Sequence, residues 1–179
     1  MPGVVGPPNA FELAFPQEFA KEVVGLVDIG FRNTTISVLL NGELSLTRVV
    51  AIGAERLTQL LAESLGVAYA EAEGMKLGMT EEVQMGLMPH LSPLGRELRA
   101  SIDFFEHQQD KTVSQVFVCG GSARSEFIVK NLRDELMLET RGWNPVSFMK
   151  MSLPPARMAE IEGTAPQLAV ATGLALAAL

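Results

Sequence analysis

The sequence predicts an α/β fold: a mixed five-stranded sheet with helices on both faces. Three observations lead there. Two strand-like runs meet at Asn41-Gly42, a pair suited to the two positive-φ positions of a type I′ hairpin turn. Leu57, Leu60, Leu61 and Leu65 recur at helical spacing. The apolar run Val113–Cys119 enters Gly120-Gly121-Ser122 and then a helix start, the pattern of a strand–helix crossover.

The elements follow in order. Pro2–Pro8 is rich in Pro and Gly and predicts a flexible lead. Ala10–Val23, carrying Phe11, Leu13, Phe15 and Phe19, predicts an irregular or partly helical approach, so residues 1–24 stand apart from the domain proper. Val24–Ile29 is an apolar run of strand length that ends at Asp28-Ile29-Gly30. Thr34–Leu40 is rich in β-branched residues, and Glu43–Ala51 keeps a period of two through Leu44 and Leu46. Three consecutive strands result, the second and third antiparallel.

A helical insertion over residues 54–111 comes next. Ala54–Leu65 is a helix ended by Gly66, and Tyr69–Leu77 a shorter one ended by Gly78. Pro89 and Pro93 predict a break. Leu94, Leu98, Ile102 and Phe105 then mark one face of an amphipathic helix. The sheet resumes at about residue 112 with Val113–Cys119. Ser125 is placed to cap a helix reaching about Met137, with Glu126 in its first turn. Val146–Met151 predicts the last strand and Ala165–Leu179 a closing helix, apolar nearly all round.

Composition excludes several function classes. Hydrophobic residues are 47% and charged residues 20%, which supports a core and excludes a disordered chain. Acids outnumber bases 21 to 14, a net charge of −7, the wrong sign for a partner with a phosphate backbone; no nucleic acid is expected. One cysteine, Cys119, excludes an internal disulfide framework, and two histidines, His90 and His107, leave little for a histidine metal site. No apolar run reaches the ~20 residues that span a bilayer. Met1–Pro8 lacks the basic and apolar parts of a signal peptide, so a reducing, cytoplasmic setting is expected.

Three segments carry chemistry. Asp28-Ile29-Gly30 followed by Thr34-Thr35 sets a carboxylate, a glycine and hydroxyls around a bend. That combination suits phosphate on the N–H groups and the Thr34 hydroxyl, with a metal-bound water on Asp28. Gly120, Gly121 and Ser122 follow a buried strand and allow close backbone approach to a flat ring or a phosphate. Glu73 and Lys76 lie three apart on one helix face, within reach of a ribose or an adenine edge. Each also has a plain structural reading: a hairpin turn, a tight strand–helix turn and a solvated ion pair. The residues alone leave both readings open.

The order of these segments resembles the second half of an actin-fold ATPase, and more narrowly the pilus-assembly protein M family of type IV pili, also called competence protein A-like. The carrying residues are Val27-Asp28-Ile29-Gly30 with Thr34-Thr35, Asn41-Gly42-Glu43-Leu44, Thr47-Arg48, Ile52-Gly53 and Leu57-Thr58. Ala70-Glu71-Ala72-Glu73 leading to Lys76, the stretch Glu97–Phe105, Val116–Gly121 and Ala169–Ala175 complete the set. The family is also similar to the cell-division protein FtsA, heat-shock chaperone ATPase domains and sugar kinases.

The resemblance implies a ribonuclease-H-like lobe over residues 25–179, its sheet formed by 25–53 and 112–179. Asp28, Gly30, Thr34 and Thr35 would form the second phosphate loop, with Asp28 holding Mg²⁺ through water. Gly120, Gly121 and Ser122 would form the adenosine loop, and Glu73 and Lys76 would flank the adenosine of ATP or ADP. It further implies a cytoplasmic assembly component, peripheral at the inner membrane through a protein partner of the pilus assembly complex. Actin-fold proteins clamp nucleotide between two lobes, and Met1–Val24 holds nothing like the first. This lobe alone is therefore expected to bind nucleotide weakly and to be no ATPase, with Ala165–Leu179 turned to the absent lobe or to a second copy. The alternative is half of a phosphotransferase such as a sugar or acetate kinase.

Overall fold

The computed structural model describes residues 2–178. Met1 and Leu179, the outer ends of the lead and of the closing helix expected from the sequence, lie outside the described residues.

Five strands form one sheet in the order β3-β2-β1-β4-β5: β1 (Val23–Ile29), β2 (Thr34–Leu40), β3 (Glu43–Val50), β4 (Gln115–Cys119) and β5 (Glu139–Gly142). β1 to β3 form the antiparallel meander, while β4 and β5 run parallel to β1. Asn41 and Gly42 take φ of 51° and 81°, as the hairpin turn requires. The β2–β3 register shifts at Val38/Leu39, leaving Ser45 as the extra residue of a bulge.

Strand alternation sends side chains to two cores. Val27, Ile29, Val116 and Val118 face one core, under α3 (Ala54–Leu65), α5 (Glu81–Gln109) and α6 (Glu126–Leu136). Val24, Leu26, Phe117 and Cys119 face the other, under α1 (Pro2–Ala14) and α8 (Ala169–Leu176). In that second core Phe11 meets Phe117 edge-on at 4.6 Å and Trp143 at 5.3 Å. The two short helices α2 (Pro16–Lys21) and α4 (Tyr69–Gly78), with α7 (Pro155–Thr164), complete the chain. The helix end at Gly66 and the Ser125 cap fall where the sequence predicts them, the Ile128 N–H donating to Ser125 Oγ at 3.3 Å, whereas Gly78 lies inside α4 and Met79, at φ of 42°, ends that helix.

The structure departs from the sequence expectations at four further places. The opening is helix α1, not a flexible lead: Gly6, Pro7, Pro8, Ala10 and Phe11 are buried, and packing on α8 and the Phe117 face outweighs two interior prolines. Pro89 and Pro93 do not break the chain; α5 runs through both for 29 residues. Each proline costs about 3 kcal/mol in a helix interior, but the buried stripe Leu87, Leu91, Leu94, Leu98, Ile102 and Phe105 holds the rod together. The last strand is Glu139–Gly142, not Val146–Met151. Pro145 and the bond from the Val146 N–H to Asn144 Oδ1 (2.9 Å) bend the latter segment into a turn. The true strand is polar because it is a short edge with only Thr140 buried. Finally, Ala165–Leu168 is a 3₁₀ turn, and α8 begins after it.

Candidate functional site

The β1–β2 connection and the turn after β4 meet at one rim of the sheet, because β1 and β4 are parallel neighbours with Asp28 opposite Cys119. Gly120 has φ of 90°, and a Cβ there would lie 2.3 Å from the Ile29 carbonyl oxygen and 2.8 Å from Asp28 Oδ1. Only glycine fits so close a passage. The Gly120 N–H donates to Pro166 O at 2.8 Å, which ties the 3₁₀ turn to the same rim. Beside it, Gly121 has open space where a side chain would project.

Burial is the larger influence on Asp28 and pushes its carboxyl above the usual range; a hydrogen bond with Cys119 pulls it part of the way back. No Lys or Arg lies within 4.0 Å of it among the described residues. A desolvated carboxylate facing an open bend without a cation suits a hydrated divalent metal. The described residues contain no cluster of three or more His, Cys, Asp or Glu side chains, so such an ion would draw its other ligands from water and phosphate. The Cys119 thiol is driven well above its ordinary range by burial, with the Asp28 charge adding to it, which makes it a packing group and not a nucleophile.

The two threonines separate. Thr34 is fully buried and donates its hydroxyl to Ile52 O at 2.6 Å, so it does not face the bend as the sequence suggested. Thr35 pairs with Asp28 across β1–β2 and stands on the same face as that carboxylate. The Gly30 and Phe31 carbonyls accept the Ala54 and Glu55 N–H groups (3.0 and 2.8 Å), so the bend occupies the start of α3. Gly53 permits this contact; a Cβ there would sit 2.4 Å from Phe31 O.

Glu73 and Lys76 form more than a surface pair. Thr58, fully buried on α3, donates to Glu73 Oε2 at 2.5 Å and accepts from Lys76 Nζ at 2.6 Å, and the two charges meet at 3.0 Å. Lys76 is only 10% exposed. Burial pushes Glu73 upward, but the Thr58 hydroxyl and the Lys76 ammonium outweigh it and hold the carboxyl below its usual range. Reasoning from the sequence missed Thr58 as a site residue. Its signal was a hydroxyl inside the apolar stripe Leu57–Leu61, which needs a partner when buried.

Two adjoining clefts line the rim. One, of about 380 Å³, is bounded by Asp28, Gly30, Gly120 and Val170; the other, of about 320 Å³, by Glu73, Lys76, Ser122 and Arg124. Ala54, Gly121 and Gln167 border both. The sequence reading named neither Arg124 nor Gln167. The arrangement offers a largely apolar arm with a lone carboxylate and a second arm with a fixed ion pair and a guanidinium, joined over a side-chain-free glycine.

Comparisons with known proteins give the family and the fold. The family described as type IV pilus assembly protein PilM matches residues 8–179. A solved PilM-PilN type IV pilus biogenesis complex shares the fold with a TM-score of 0.79 and 25% identity, covering 96% of this chain and 51% of that one. MreB5 of Spiroplasma citri, solved bound to AMPPNP, has a TM-score of 0.67 at 13% identity, over 96% of this chain and 57% of the other, a likeness of fold alone. The cell division protein FtsA of Bacillus subtilis is 43% identical over 53 residues, 30% of this chain and 12% of FtsA. The chain thus spans about half the length of the solved PilM and a smaller part of FtsA.

Proposed function

Since the chain belongs to the type IV pilus assembly protein PilM family, we propose that it is the nucleotide-side lobe of an actin-like assembly protein, a scaffold component and not a catalyst by itself. The observation that supports this most is the abutment of the Asp28 bend and the Gly120 turn, with the Thr58–Glu73–Lys76 cluster across the adjoining cleft. In this reading Asp28 holds Mg²⁺ of ATP or ADP through water, and Gly30 and Thr35 border the phosphates. Glu73 and Lys76 bind the ribose hydroxyls. Gly121, Ser122 and Arg124 border the adenine. The metal would neutralise phosphate charge.

Phosphoryl transfer needs positioning and charge clamping from both sides. The residues described supply one side, so binding without turnover is expected. The chain would act at the cytoplasmic side of the inner membrane, held there by a protein of the pilus assembly complex. No described helix is long and apolar enough to cross a membrane. α8 meets α1 where Val170 and Gly173 lie against Gly6, and its Ala169, Thr172 and Gly173 are buried, so the apolar face that the sequence reserved for a missing neighbour is partly covered within the chain. The outer positions Ala171 and Ala175 remain for the first lobe or a second copy.

Titration calorimetry with Mg·ADP tests the reading, with phosphate release followed in parallel. Weak saturable binding that Lys76→Ala reduces, and release at background, are the expected results. Sustained hydrolysis, or binding that Lys76→Ala leaves unchanged, would overturn it. Adding acetate or glucose to the ATP reaction separates it from the phosphotransferase reading, which requires a phosphorylated product.

A further inference from the structure

A second groove, of about 900 Å³, lies behind Arg124, between the outer side of α6 and the edge strand β5. Glu126, Val129, Lys130 and Arg133 are spaced as one stripe of α6 and all line it. Arg124, Lys130 and Arg133 have no carboxylate within 4.0 Å among the described residues. The other acids of α6, Asp134 and Glu135, lie outside the groove. Arg124 ends the turn before α6, so the groove carries three unpaired cations, Arg124, Lys130 and Arg133, against two carboxylates, Glu126 on α6 and Glu139 on β5, on a chain whose net charge is −7. Its opposite wall is the end of the sheet: β5 pairs with β4 on one side only, so its outward N–H and C=O groups have no strand partner.

We infer that this groove docks a short, extended, acidic segment of a partner protein, added as a sixth strand on β5. Backbone bonds to the edge give affinity, and carboxylates at alternate positions, turned toward α6, meet Lys130 and Arg133. Elsewhere the negative charge of the chain repels such a segment, which confines it to this surface. Arg141, the other cation here, is already held on the far face of the sheet, over Phe15 and Phe117 and 3.8 Å from Glu18. The groove borders the nucleotide cleft at Met79, Arg124 and Ser125, but the inference stands independently of nucleotide binding.

Fluorescence anisotropy of the full chain with a labelled Asp-Val-Asp-Val-Asp-Val peptide tests it. Binding at low salt is expected, with Lys-Val-Lys-Val-Lys-Val not bound. The double variant Lys130→Glu/Arg133→Glu should weaken the acidic peptide by about tenfold or more. Lys130→Arg/Arg133→Lys should keep affinity within about twofold, and N-methylation of alternate peptide bonds should abolish binding. Thermal melting and ADP binding, read on the same variants, should stay at the wild-type values. Equal binding of both peptides, or no effect of the charge reversal, overturns the proposal. So does a single-stranded oligonucleotide that binds more tightly and is lost with the same two residues.

Discussion

Gly6 and Gly173 bring α1 and α8 into backbone contact: a Cβ on Gly173 would fall 1.7 Å from the Gly6 carbonyl oxygen, and one on Gly6 would lie 2.7 Å from the Val170 Cα. Asn9 Nδ2 donates to Gly173 O at 3.2 Å beside the crossing. No side chain is available to move aside, so the helices themselves must part. Gly173→Ala should destabilise the chain by about 1–3 kcal/mol or more, read as a lower denaturant midpoint with the slope unchanged. An unchanged midpoint would mean that α1 does not pack there in solution.

Adjacent glycines at the site should respond oppositely. Gly120→Ala places a side chain at φ of 90° against Ile29 O and should prevent normal folding. Gly121→Ala meets open space and should melt like the wild type while weakening Mg·ADP binding. Melting curves and calorimetry on both variants check the contrast.

Asp28 gives a pH signature. Its folded carboxyl titrates above the unfolded one, so the folded state holds its proton more tightly and loses stability as pH rises through the folded value. Asp28→Asn removes the buried charge. It should therefore raise the melting temperature near pH 7 and change little at pH 3, where the carboxyl is protonated in both states. The same substitution should weaken magnesium-dependent nucleotide binding, so stability and binding move in opposite directions.

Thr58→Val keeps the shape of the side chain and removes the hydroxyl between Glu73 and Lys76. The Glu73 carboxyl should then titrate higher, since its first stabilising hydrogen bond is gone. Stability should fall by about 1–3 kcal/mol because a nearly buried ammonium loses an acceptor. Carbon-detected NMR titration of the glutamate carboxyls reads the first effect and urea unfolding the second.

Sequence patterns made the meander legible because its signals are local: Asn41-Gly42 fixes a turn, and the alternation around it fixes two strands. The two bends of the site were legible as sequence, but their adjacency depends on β1 pairing with β4 across about ninety residues. The errors share a cause. Proline and polar content were read as local instructions, whereas burial decided at Pro7, Pro8, Pro89 and Pro93, and edge position decided at Glu139–Gly142. Thr58 escaped because its partners Glu73 and Lys76 lie on another helix, and Arg124 because the cleft it borders is assembled from distant segments. Thr34 looked like a site hydroxyl until its bond to Ile52 O accounted for it.

The prolines of α5 have a mechanical corollary. Lacking N–H groups, Pro89 and Pro93 leave the Met85 and Pro89 carbonyls without their usual donors four residues on. The weakened stretch separates two anchorages. On one side Gly86 rests against Leu61 of α3; on the other Arg48 of β3 grips Glu97 at 2.7 Å. The long rod thus carries a built-in soft joint between the part that leans on α3 and the part bolted to the sheet, and amides of residues 81–92 should exchange with deuterium sooner than those of 97–109.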